Sequence, residues 1–262
     1  MPVGSRSESL GIGHYEVMSK HFQTKGIVLR KINLNEADRI VTVLSDEFGK
    51  IDCIGKGARR LKSKFCGRLE LFSHVQLTCF QGRELASINE IHLLSAFPEV
   101  KDVNKHRVLF YIAELTHRFT QSGQHTEGAY PLLRETLIHL EKCEKIDVIL
   151  HTYLVKLLTL NGFLSPWNQC ATCNHSLDIE RPIFLSSTDA NVVCEHCAHP
   201  ADKTVTAPLI KWVNFMQHYP LSDTLKVNVD KKDHESVWRW LQGILENLLS
   251  SPIKSEAFLQ TI

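Results

Sequence analysis

Two sets of residues in this chain have the types and spacing to do chemistry. The first is cysteine. Cys170 and Cys173 form one C-x-x-C pair, and after twenty intervening residues Cys194 and Cys197 form another. Two such knuckles offer four thiolates to one tetrahedral ion at about 2.3 Å, the arrangement of a zinc ribbon. Four protein ligands leave no open coordination position, so the single Zn2+ predicted here is structural. His175, His196 and His199 lie nearby but are not needed to complete the set. The second set is basic. From Lys50 to Arg68 the cations are Lys50, Lys56, Arg59, Arg60, Lys62, Lys64 and Arg68, with Asp52 the only full acid among them. Gly55 and Gly57 flank Lys56 and allow close approach of backbone to a ligand. Long cations on a short loop, with the Ser63 hydroxyl beside them, suit the phosphates of a nucleic acid. All seven are candidate DNA contacts. The plain alternative is a solvated charged loop; its place after a β-hairpin favours binding.

Composition sets the frame for both. The chain has 262 residues, 43% hydrophobic and 23% charged, an ordinary globular balance with room for two or three domains. No apolar run is long enough to cross a bilayer, and the first residues lack an export-signal layout, so the expectation is a cytoplasmic chain without membrane contact. In a reducing compartment, paired cysteines indicate metal before disulfide. The other four, Cys53, Cys66, Cys79 and Cys143, read as buried free thiols. The net charge of +1 hides an asymmetry: residues 20–82 carry 12 Lys and Arg against six acids, leaving the remainder at −5. A basic segment on a near-neutral chain is the footprint of a polyanion site.

The elements that must position these groups can be read in order. Residues 1–22 lack periodicity and read as a flexible extension. Gly26–Arg30, Arg39–Ser45, Lys50–Ile54, His74–Phe80 and Glu84–Leu93 are five short strands, with Asp46-Glu47-Phe48-Gly49 a hairpin turn. Five such strands fit a small Greek-key barrel, and the oligonucleotide/oligosaccharide-binding (OB) fold is the one that best matches a basic loop beside a groove. An SH3-like barrel has nearly the same pattern. Beyond residue 98 the period becomes helical: Lys105–Phe119, Tyr130–Cys143 and Asp147–Leu160, then Leu209–His218 and Val237–Leu249 after the cysteines. Trp238 and Trp240 flank Arg239 and are assigned to packing rather than base stacking. The expected fold is multidomain α+β, with an N-terminal OB-fold barrel (23–97), a helical domain (98–168), an inserted four-cysteine zinc module (169–205) and C-terminal helices packed back on the helical domain (206–262).

The sequence holds no G-x-x-x-x-G-K-[ST], G-x-S-x-G or H-E-x-x-H, and no carboxylate cluster for a two-metal site. A binding protein is therefore expected, not an enzyme. The alternative is a zinc-stabilised protein–protein adaptor whose basic loop docks an acidic partner without direct DNA binding.

Gly26-Ile27-Val28-Leu29, Asp38-Arg39-Ile40-Val41-Thr42, Gly49-Lys50 and Lys56-Gly57-Ala58-Arg59-Arg60 with Ser63 resemble the amino-terminal half of the bacterial recombination and repair protein family RecO. Leu157-Leu158 to Gly162-Phe163, Pro166, Cys170, Cys173 and the late Lys254-Ser255 are similar to its carboxy-terminal half. The chain departs at Asn35, where a small or aromatic residue is expected, and at Leu154, where Glu is common. The resemblance implies a non-enzymatic mediator of recombinational repair in the RecF pathway. Such a protein binds single- and double-stranded DNA, anneals complementary strands and associates with RecR. It acts on DNA coated by single-stranded DNA-binding protein and helps load RecA. It also implies that the acidic tail of that coating protein meets cations of the helical domain, here Arg107, Arg118, Arg134 or Lys156.

Overall fold

Strand β1 runs for 14 residues, His21–Leu34, and every later part of the amino-terminal half is built on it. It pairs antiparallel with β2 (Asp38–Ser45) from Gly26↔Ser45 to Leu34↔Asp38, and with β4 (Ser73–Phe80) from His21↔Phe80 to Ile27↔His74. β2 pairs with β3 (Gly49–Gly55), and β5 (Ala86–Ala96) pairs with β4. A short parallel contact, Cys53↔Ala86 and Ile54↔Ser87, joins β3 to β5 and closes the barrel in the order β1-β2-β3-β5-β4. This computed structural model describes residues 20–96, 102–189 and 191–259. The extension expected over residues 1–22 lies almost wholly outside them.

β1 is longer than its apolar run because its first residues alternate, with Phe22 and Thr24 buried, and its exposed last residues are held by pairing. Its middle faces two cores. Phe22 and Val28 enter the barrel interior with Val41, Val43, Val75 and Leu77, while Ile27 and Leu29 join Leu44 in the helical core. Two-sided burial explains the unbroken Ile27-Val28-Leu29 run where a surface strand would alternate.

The helical half centres on α3 (Ile146–Leu160), buried over most of its circumference, as its almost continuous apolar sequence requires. Around it lie α1 (Val103–Phe119), α2 (Ala129–Lys142), α4 (Ala207–His218), the short α5 (Leu221–Thr224) and α6 (Lys231–Leu248). Leu154, the departure noted above, is wholly buried in this core. Trp240 packs edge-on to Trp167 at 4.5 Å, and Trp238 stacks on His151 at 5.8 Å, so both tryptophans serve packing. Between α3 and α4 sits a three-stranded sheet of β6 (Ile183–Leu185), β7 (Val192–Cys194) and β8 (Lys203–Thr204), ordered β7-β6-β8. A final 3-10 turn, Lys254–Phe258, is capped by Glu114 of α1, which accepts the Lys254 and Ser255 N–H groups at 3.0 and 2.8 Å.

His151 makes the helical core pH-sensitive. Burial, and then the neighbouring His234, hold its pKa at about 3, against 6.5 when unfolded. The folded state therefore disfavours the imidazolium, and the linked stability is complete above pH 6.5 and drains as pH falls towards 3. Measured as urea midpoint against pH, the wild type should lose stability across that window. His151→Leu should flatten the slope, and an unchanged slope would remove His151 as its source.

Candidate nucleic-acid interface and metal centre

Six of the seven basic residues lie on the connection between β3 and β4, a chain of tight turns rather than a helix, and Lys50 lies in β3. Gly57, at φ +71°, opens it, a left-handed conformation that favours glycine. Three apolar side chains then sink into the barrel core: Ala58, Phe65 and Leu69. Polar contacts tie the same loop to the β1–β2 turn. The Gly57 N–H donates to Asp38 Oδ1 (2.7 Å) and the Arg59 N–H to the Ala37 carbonyl (2.9 Å). Arg59 Nη1 donates to the Asn35 carbonyl at 2.6 Å. Asn35 has φ +50°, a conformation asparagine tolerates better than most residues, which accounts for its place in this turn. At the far end Glu70 accepts Arg39 Nη1 (2.8 Å) and pairs with Lys31. Burial would raise the Glu70 pKa, but these two cations outweigh it and the carboxyl sits below its usual range.

The seven predicted cations divide into three groups. Lys56, Arg60 and Lys62 are exposed, and among the described residues their side chains make no hydrogen bond or ion pair. Arg59, Lys64 and Arg68 are exposed but brace the loop: Lys64 Nζ donates to the Asn89 carbonyl, and Arg68 Nη1 to the Lys64 and Ile91 carbonyls at 3.0 and 3.4 Å. Lys50 belongs to neither group. It is 7% exposed and donates to the His117 carbonyl at the end of α1 (2.6 Å). Burial lowers its pKa, with Asp52 acting in opposition. A lysine engaged in joining barrel to helices is less available to a phosphate than the six cations on the loop. Of the residues that position the loop, Asp38 was visible only as the first residue of the Asp38–Thr42 stretch, and Glu70 carried no motif.

The four cysteines come together. The Sγ atoms of Cys170, Cys173, Cys194 and Cys197 all lie within 4.8 Å of one another, with Cys173 and Cys194 at 3.8 Å. A tetrahedron with bonds of about 2.3 Å has sulfur–sulfur edges of about 3.8 Å, whereas a disulfide needs about 2.05 Å. The donor set fits a thiophilic ion. Left alone, the sulfurs drive one another's ionisation apart. Burial opposes ionisation of Cys170, but N–H groups of Cys173, Cys194 and Thr172 bring it down to about 6, while Cys194 and Cys173 push Cys197 up to about 12. Four thiolates together require a cation at their centre. Local backbone shapes the knuckles: Asn174 closes the first at φ +59°, and the second begins at the last residue of β7. Asn191 docks the module by accepting the Ser165 N–H at 2.8 Å. Of the remaining thiols Cys53 and Cys79 are buried and Cys143 is half-buried, but Cys66 is exposed, because it stands in the loop between the anchors Phe65 and Leu69.

The cations of the helical domain differ in availability. Arg118 is held by Glu114 and the Ser251 and Pro252 carbonyls, and half-buried Lys156 donates to the Gln217 carbonyl at 3.4 Å. Among the described residues Arg107 reaches only Asn104 on its own helix, and Arg134 is exposed.

Comparison with known proteins settles the family. Residues 18–97 match the model of the recombination protein O N-terminal domain, and residues 101–257 that of its C-terminal domain. The chain belongs to the RecO family. Its similarity to curated RecO proteins is low in identity and nearly complete in length. It is 24% identical over 243 residues to the DNA repair protein RecO of Halalkalibacterium halodurans, covering 92% of this chain and 94% of that one. It is 27% identical over 244 residues to that of Caldicellulosiruptor bescii, covering 93% and 99%. No described helix of this RecO-family chain is long and apolar enough to cross a membrane.

The metal centre makes a direct prediction. Purified protein assayed by plasma mass spectrometry should carry one equivalent of a bound divalent ion. Cys173→Ser/Cys197→Ser should carry almost none and lose ordered structure around β6–β8. A wild-type protein that holds no ion and leaves Cys170, Cys173, Cys194 and Cys197 all reactive would contradict the site.

Proposed function

We propose that this chain is a non-enzymatic DNA-binding and strand-annealing mediator of recombinational repair. On this reading the closed five-stranded barrel is an OB fold and the ion on the four cysteines is Zn2+, which stabilises a module too small to hold its own core. The observation that carries the proposal is the rigid, apolar-anchored loop that holds Lys56, Arg60 and Lys62 in water with no internal partner. Side-chain charge left unpaired on a braced loop is prepaid for a polyanion, since little ordering entropy remains to be lost on binding. Phosphates of two strands laid on such a surface are partly neutralised and can approach each other, while their bases stay outside to pair.

The relatives are named as DNA repair proteins, which supports DNA as the polyanion. Family membership supports the wider assignment: a cytoplasmic protein of the RecF pathway that works with RecR on DNA coated by single-stranded DNA-binding protein and aids RecA loading. For the acidic tail of that coating protein, Arg134 and Arg107 are the cations free to serve, because Arg118 and Lys156 are used within the fold.

The test is binding of fluorescent single-stranded DNA across a salt series. With about four phosphate contacts the wild type should show a log–log slope of roughly −3. Lys56→Ala/Arg60→Ala/Lys62→Ala removes side chains with no structural role, so thermal unfolding should be unchanged. The slope should become shallower by about 2, at about 0.7 per lost contact. Unchanged affinity and slope in the folded variant would move the DNA site off the loop.

A further inference from the structure

At the apex of the basic loop stands Leu61, 96% exposed, the most exposed large apolar side chain among the described residues. Its sequence neighbours on both sides are the exposed cations Arg59, Arg60, Lys62 and Lys64. The exposure is not the result of slack chain. Arg60 N–H donates to the Gly57 carbonyl (3.1 Å), Ser63 N–H to Arg60 (2.9 Å) and Cys66 N–H to Ser63 (3.1 Å), and buried Ala58 and Phe65 fix the loop on either side. The turns therefore hold an aliphatic side chain outward in water, in the midst of groups that attract phosphate.

We propose that Leu61 is a wedge that enters the base stack of the strand lying on the loop and separates two neighbouring bases. The proposal rests on the reading of this loop as the DNA surface. A branched aliphatic side chain between base steps is an established way for a protein to unstack and bend a nucleic acid, with flanking cations holding the backbone. The chemistry around Leu61 favours that partner over others. Four cations this close disfavour an apolar protein groove, which would have to desolvate them. An acidic lipid surface would accept the charge, but one leucine inserts far less hydrocarbon than a single acyl chain, itself only a marginal anchor. A base stack needs no more than one side chain, and it supplies phosphates on both sides of the gap. Opening the stack there would leave two bases unstacked beside the loop, where a complementary strand can reach them.

The experiment uses the full-length chain and a single-stranded oligonucleotide with 2-aminopurine between adenines, whose fluorescence rises when stacking is lost. Anisotropy of an end-labelled copy reports binding separately. Wild type should bind and raise the 2-aminopurine signal. Leu61→Ala should bind about three- to tenfold more weakly, the scale of one partly buried leucine, with the same salt slope and no fluorescence rise. Leu61→Phe should restore the rise. The Lys56/Arg60/Lys62 triple alanine variant should lose affinity through its slope instead. If wild type binds without a rise, or Leu61→Ala binds with the rise intact, the wedge is refuted and the DNA surface stands. If wild type does not bind DNA, both fall. Leu61-dependent binding to phosphatidylglycerol vesicles, with DNA binding indifferent to Leu61, would assign the side chain to a lipid surface and overturn the proposal.

Discussion

The double burial of β1 is the constraint on which the rest of this structure depends. One strand pairs along both edges, with β2 and β4, and its two faces serve two cores, Val28 in the barrel and Ile27 and Leu29 among the helices. A polar residue at any of these positions would unsatisfy one core or the other. Because Leu44 and Phe72 also cross into the helical core, the barrel is seated against α1 and α2 rather than tethered to them. Lys50 adds a polar tie by capping the carbonyl end of α1. The loop that carries the exposed cations thus projects from a barrel fixed by its neighbour.

That fixation bears on function through entropy. Seven cations on a free chain would have to be ordered when a polyanion bound. Here Ala58, Phe65 and Leu69 order the backbone by burial, and Arg59, Lys64 and Arg68 order it by bonding to carbonyls, so three cations are sacrificed to present three others. The electrostatic gain of each presented cation is small and screened by salt. What the structure supplies is their joint placement. The four-cysteine module is built differently: its short strands lend Ile183 and Val192 to the helical core, and its own centre is a set of four sulfurs placed to hold an ion.

Much of this was legible in the sequence, for identifiable reasons. Strands β2 to β4 and the helices α1 to α3 follow their apolar runs and periods to within a few residues, because burial sets those patterns locally. The two C-x-x-C pairs predicted their own convergence, since four thiols at that spacing match one tetrahedral ion. Misreadings occurred where the environment was set from far away. Nothing local distinguishes Lys50 from Lys56, yet one lies under α1 and the other in water. Cys66 reads as another apolar thiol until the anchors Phe65 and Leu69 leave it outside. The start of α6 at Lys231 was hidden because its first turns are polar and largely exposed, so the apolar period begins only at Val237. Gly49 was legible as a turn residue, but not the further reason for it: a side chain there would meet the Gln124 carbonyl at 2.1 Å.

The account's central claim is that DNA lies on the β3–β4 loop and the adjoining β1–β2 turn. Amide hydrogen exchange of the full chain, with and without a saturating single-stranded oligonucleotide, tests it without altering any residue. The account predicts slowed exchange over residues 56–64 and 35–37, with α3 and the four-cysteine module unchanged. Protection confined to the helices or to β6–β8, with the loop exchanging as before, would contradict it.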